Sequence, residues 1–147
     1  MIRDDVFPYF PNPVEQVAST SSGGWPFTDT LTVDPTDTNA DYTTITLALA
    51  AVASTQRILL GTNITEDVTL NKVAPLVGIN QDVIITPSAA AQTVNITLSQ
   101  AKMERLTINA PSSGTPRYAA KTNSSCTLRD VRMLLNGTGS TSQYGFH

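Results

Sequence analysis

One feature limits what this chain can fold into more than any other. Between Gln56 and His147 it nearly repeats itself every 23 to 26 residues. Aligning Ile58, Val83, Leu106 and Val131 brings Leu60, Ile85, Ile108 and Met133 into the neighbouring column. A second pair of columns holds Val68, Val94, Tyr118 and Tyr144, then Leu70, Ile96, Ala120 and Phe146. A third holds Leu76, Ala101 and Cys126, then Gly78, Met103 and Leu128. Within each coil the paired positions are separated by one residue, the spacing of a strand that buries one face. Three short strands per coil, stacked coil upon coil, predict an all-β chain folded as a parallel β-helix of about 3–4 rungs. The connections repeat as well, since the segments 86–94, 110–118 and 136–144 align without a gap.

With 147 residues the chain has room for one core and little more. Charged residues make up only 14% of it, and Thr, Ser and Asn take their place, which suits strands joined by tight turns. A net charge of −3 without a basic cluster argues against binding nucleic acid through its phosphates. Met1 to Pro8 lacks the apolar run of a signal peptide, and no stretch is long enough to span a bilayer, so membrane partners are not expected. The single cysteine, Cys126, excludes an internal disulfide and reads as a small buried hydrophobe.

Residues 1–40 stand outside the repeat and read as an extended arm, leaving 41–147 for a capping helix and the β-helix. In the arm, Phe7, Tyr9 and Phe10 are interleaved with prolines, and Trp25 and Phe27 flank Pro26 beyond a Ser/Gly stretch. Proline fixes φ and removes a donor, so this segment cannot join a central strand. Five rings need cover. Either the arm folds back along its own solenoid, or it anchors in a partner protein, where aromatic residues dominate contact energy. Leu31 and Val33 alternate with threonines and suggest a short strand entering the domain.

Asp37, Asn39 and Asp41 have the first spacings of a calcium loop, but Tyr42 stands where its glycine belongs and Ala48 where its glutamate belongs. The segment reads as a polar turn that caps a helix over Thr43 to about Ser54. Ile45, Ala48, Leu49 and Val52 give that helix one apolar stripe, suited to covering the first rung. At the other end the fourth rung stops at His147 without a cap. An open row of strand donors and acceptors predicts a longer protein, a partner, or a homo-oligomer.

On the outward side of the first strand the columns place Arg57, Asp82, Arg105 and Asp130 on successive rungs, a ladder of alternating sign. Arg105 between the two acids favours their ionised forms, whereas a general acid must hold a proton, so the ladder reads as structural rather than catalytic. Glu66 and Asp67 adjoin at a turn without a third acid on the next rung, and no metal site or cofactor is expected. His147 is the only histidine, which excludes histidine-based triads. Leu59, Ile84 and Leu134 are apolar outward positions, Leu59 and Ile84 as stack neighbours, and they are candidates for contact with the arm or a second subunit.

Asp41 to Ala50, then Arg57-Ile-Leu-Leu-Gly61, Glu66-Asp-Val-Thr-Leu70 and Leu76-Val-Gly-Ile79, resemble the opening of the pectate-lyase-like right-handed β-helix superfamily. An aromatic arm ahead of a capping helix and β-helix is similar to bacteriophage tailspikes and other exterior virion proteins. That resemblance implies a non-enzymatic structural protein on the particle exterior, as a capsid decoration or fibre base. It would be anchored to capsid or tail by its arm and assembled in the host cytoplasm, as a homo-oligomer for which the resemblance offers a trimer. The alternative it implies is the head-proximal fragment of a polysaccharide-degrading tailspike whose active rungs lie beyond His147. A free carbohydrate-binding module is disfavoured, because the outward face has few aromatic platforms.

Overall fold

Alternating apolar residues that recur once per coil can be buried only if the coils stack, and the chain does this as a parallel β-solenoid of about four turns, with one short helix among the described residues. The structure, a computed structural model, describes residues 29–89, 92–112 and 117–135, with 143–146 as backbone. The arm positions Phe7, Tyr9, Phe10, Trp25 and Phe27 lie outside the described residues.

β1 (Asp29–Val33) is followed by α1 (Ile45–Ala51) and by β2 (Gln56–Leu60), β3 (Ile64–Thr65) and β4 (Val68–Leu70). The next turn holds β5 (Leu76–Gly78), β6 (Ile84–Thr86) and β7 (Gln92–Ile96). Above it lie β8 (Ala101–Asn109) with β9 (Arg117–Thr122), then β10 (Cys126–Leu134) with β11 (Gln143–Phe146). All pairings among the described residues are parallel. β1, β2 and β5 lead to the first half of β8, β3 and β6 lead to its second half, and β10 lies along the whole of it. β4, β7, β9 and β11 form a separate four-stranded sheet. β1, which precedes residue 41, thus belongs to the sheet, pairing with β2 from Asp29↔Gln56 to Val33↔Leu60.

The interior is a spine of aliphatic side chains. Ile58, Leu60, Leu76, Ile85, Met103, Leu106 and Ile108 are completely buried. In the last two turns the register is the one expected, with Cys126↔Ala101, Leu128↔Met103, Val131↔Leu106 and Met133↔Ile108. Lower down it differs. Ile58 pairs with Leu76 rather than stacking on Val83, and Ile85 lies on Ile64 rather than on Leu60. Leu76 lies beside Met103 rather than Ala101, and Val94 beside Ala120 rather than Tyr118.

The cause is the corner between the first two faces, which changes length up the stack. In the lower turns it is a separate segment, residues 61–63 and then 79–83. In β8 and β10 it shrinks to one left-handed residue within a continuous strand, Arg105 at φ 50° and Asp130 at φ 60°. Such angles are uncommon for residues with a Cβ, though Asp tolerates them better than most. Gly78 sits beneath this bend. A Cβ there would fall inside contact distance of the Arg105 carbonyl oxygen and 2.9 Å from that of Asn80.

α1 closes the first end. It is shorter than the apolar stripe suggests, starting after Thr44, whose side chain accepts the Leu47 N–H at 3.2 Å. Ile45, Ala48 and Leu49 are buried, and Val52 at the C-cap completes the stripe. At the far end nothing described lies beyond β10. There Cys126, Leu128, Val131 and Met133 pack on the core but stay half-buried.

Candidate functional site

The corner residues gather the charges. Because Arg57 belongs to β2, it lies beside Thr30, donating to its hydroxyl at 2.9 Å, and not beside Asp82. The four-member ladder of Arg57, Asp82, Arg105 and Asp130 is therefore not formed. Asp82 lies in the corner segment between β5 and β6, its N–H bonded to the Asn80 side chain at 2.8 Å. Arg105 and Asp130 are the two left-handed corner residues.

The charges that do line up are one residue earlier. An outward row runs Thr32, Leu59, Val77, Glu104, Arg129 across β1, β2, β5, β8 and β10. Arg129 Nη1 stands 3.7 Å from Glu104 Oε2, and the two side chains are 73% and 11% exposed. A carboxylate so enclosed needs a cation or donors beside it, and Arg129 supplies the cation. Glu104, Arg105, Arg129 and Asp130 together line a cleft of about 250 Å³.

Gln81 fastens this corner across several turns. Its Nε2 donates to Asp130 Oδ1 at 2.6 Å and to the Asp130 carbonyl at 3.1 Å. Its Oε1 accepts from Arg132 Nη2 at 3.0 Å, and its carbonyl accepts the Thr107 hydroxyl at 2.6 Å. One amide side chain thus binds turns that are not adjacent in the stack. Glu104, Arg129, Gln81 and Arg132 were not among the expected site residues. The aligned tetrads Lys102-Met-Glu-Arg105 and Thr127-Leu-Arg-Asp130, with their charges reversed, carry the signal for two of them. Gln81 carries no such signal, because its reach depends on the fold of the corner.

The expected apolar neighbours separate. Leu59 pairs with Val77, Ile84 with Thr107, and Leu134 with Asn109, so these three positions lie in three different rows and form no continuous stripe.

Other described acids, Glu66, Asp67, Asp37 and Asp41, accept from backbone N–H groups. Glu66 reaches the start of α1, accepting from Ile45 N–H and Thr46 N–H at 2.8 Å each and from the Thr46 hydroxyl. Asp67 turns the other way and accepts from Ser88 N–H at 2.8 Å. The two adjacent carboxylates therefore share no centre. Asp37 accepts from Asn39 N–H at 2.9 Å, whereas Asp41 accepts from Thr32 N–H and hydroxyl at 2.8 Å. Those bonds hold the Asp41 carboxyl below its ordinary pKa, and bonds from the Thr36 hydroxyl and N–H do the same for Asp34. Burial pushes the Cys126 thiol up. Among the described residues no group of three or more His, Cys, Asp or Glu is gathered in a way that could hold a metal ion.

Comparison with protein-family models, with curated proteins and with solved structures finds no match to this chain.

Proposed function

We propose that the chain is a non-enzymatic structural protein on the exterior of a bacteriophage particle, attached through its aromatic N-terminal arm and presenting a short β-solenoid. Arm and solenoid divide the work: residues 1–28 supply the aromatic anchors, and the solenoid supplies a rigid projecting body. The observation that carries this reading is the state of the corner acids. Glu104 is enclosed beside Arg129, and Asp130 accepts from Gln81, so both hold turns together rather than facing a ligand alone. A homo-oligomer is part of the proposal. The alternative, the head-proximal part of a polysaccharide-degrading tailspike, draws support from the cleft lined by Glu104, Arg105, Arg129 and Asp130.

The test is particle association. The full chain is expected to co-purify with phage particles, and a chain lacking residues 1–28 is expected to stay behind while keeping its β-sheet circular dichroism. A full chain that never sediments with particles would remove the proposal. Polysaccharide cleavage by the intact chain, lost on Asp130→Asn, would favour the alternative.

A further inference from the structure

We infer that the outer edge of β10 is a self-complementary docking edge, and that its occupant is β10 of a second copy, antiparallel about a two-fold axis through the Asp130 corner. This does not depend on the virion reading. Among the described residues β10 pairs only with β8, and its inward side chains Cys126, Leu128, Val131 and Met133 remain half-buried at the end of the core. A parallel strand edge with apolar residues behind it is a template for another strand. The opposite end of the solenoid cannot supply that strand, because α1 packs against β1, β2 and β4 there. Head-to-tail stacking is thereby blocked, which leaves an isologous contact of open end with open end.

The sequence of β10 fits that symmetry. Take the midpoint between Arg129 and Asp130 as the axis. Leu128 then faces Val131 of the second copy, Cys126 faces Met133, and Arg129 faces Asp130, each contact occurring twice. Residues directly opposite in an antiparallel pair project to the same side, so all four apolar side chains meet core to core. The bend is preserved too. β10 runs along one face before Asp130 and the next face after it, and an axis bisecting the corner carries one half onto the other. The charges complete the match: the Arg129 side chain is 73% exposed and Asp130 is exposed, so each can meet its opposite across the axis.

The full 147-residue chain is expected to sediment as a dimer at micromolar concentration. Asp130→Arg sets two arginines against each other at each end of the axis and is expected to weaken the dimer by about tenfold or more. That variant also loses the Gln81 bond, so a second one tests the register without touching the corner. Met133→Cys places a thiol opposite Cys126 of the second copy, and a mild disulfide-forming oxidant is expected to yield a covalent dimer. Leu134→Cys projects to the other side and is expected to remain uncrosslinked. A monomer at micromolar concentration, an assembly larger than two, a dimer indifferent to Asp130→Arg, or equal crosslinking of both cysteine variants would each overturn the inference.

Discussion

The two ends of this solenoid are built from the same apolar pattern and reach different states. At the first end, Val33, Ile58 and Leu60 are fully buried under α1, and the side chain of Glu66 fixes the start of that helix. At the last end, Cys126, Leu128, Val131 and Met133 occupy equivalent inward positions but, among the described residues, are covered by β8 on one side only. The difference teaches that strand patterning places a side chain inside a coil, whereas burial depends on the coil above or below. A cap converts a half-buried row into core. Without one among the described residues, the same row stays half-buried, and it is there that the proposed second copy would dock.

The largest expected effect contrasts the rows directly. Ile58→Ala removes a side chain with no exposure and should cost about 2–5 kcal/mol. Met133→Ala, measured well below the concentration at which copies associate, should cost less than half of that, because its cavity opens towards solvent. Urea unfolding of the two variants checks the ranking, and equal losses would mean that the ends do not differ in burial.

Gly78→Ala comes next. Its Cβ would press on the Arg105 carbonyl and come within 3.2 Å of Leu106 Cβ, so backbone must move. Overpacking of this kind costs about 1–3 kcal/mol. Gly61→Ala is a milder case, since its closest neighbour is the movable Asp34 carboxylate at 2.8 Å. Thermal melting of the two variants should separate them, with Gly78→Ala the lower.

Glu66→Gln tests the cap itself. The amide keeps one acceptor but loses the charge at a helix N-terminus, and about 0.5–2 kcal/mol is the usual range for losing such a cap. Chemical denaturation read by circular dichroism checks it; a neutral result would leave the Thr44 cap and the apolar stripe holding the closed end.

Where the sequence was legible and where it was not follows from the same geometry. Apolar alternation, the helix stripe and the register of β10 on β8 could all be read, because both strands carry their corner as a single residue and keep equal length. The lower register could not. Alternation has a period of two, so sliding a strand by an even number of residues still sets apolar on apolar. Only the corner lengths decide whether Ile58 meets Leu76 or Val83, and those depend on Gly78, Asn80 and a left-handed Arg105. The charge ladder inherited that slip. The sequence columns set Arg57 in the row of Asp82, although it lies a whole face away, whereas Glu104 and Arg129 sit on the two strands whose register those columns give.

The smallest effect concerns acid. Asp41 ties β1 to the turn ahead of α1 by accepting from Thr32, and Asp34 accepts from Thr36 within that turn, both with folded pKa values below the ordinary 3.8. An acid whose folded pKa is depressed contributes stability that is present above its unfolded value and is lost as pH falls through the folded one. The capped end should therefore weaken below pH about 4, by a small amount because both carboxylates are exposed and screened. Asp41→Asn should lower the melting temperature slightly near neutrality and flatten its decline below that pH. Hydrogen exchange in β1 and the turn before α1 should therefore rise as the pH falls below about 4, and Asp41→Asn should blunt that rise. Exchange in β1 and that turn that stays at its neutral-pH rate, or that rises equally in Asp41→Asn, would show that the Asp41 bonds do not hold the capped end.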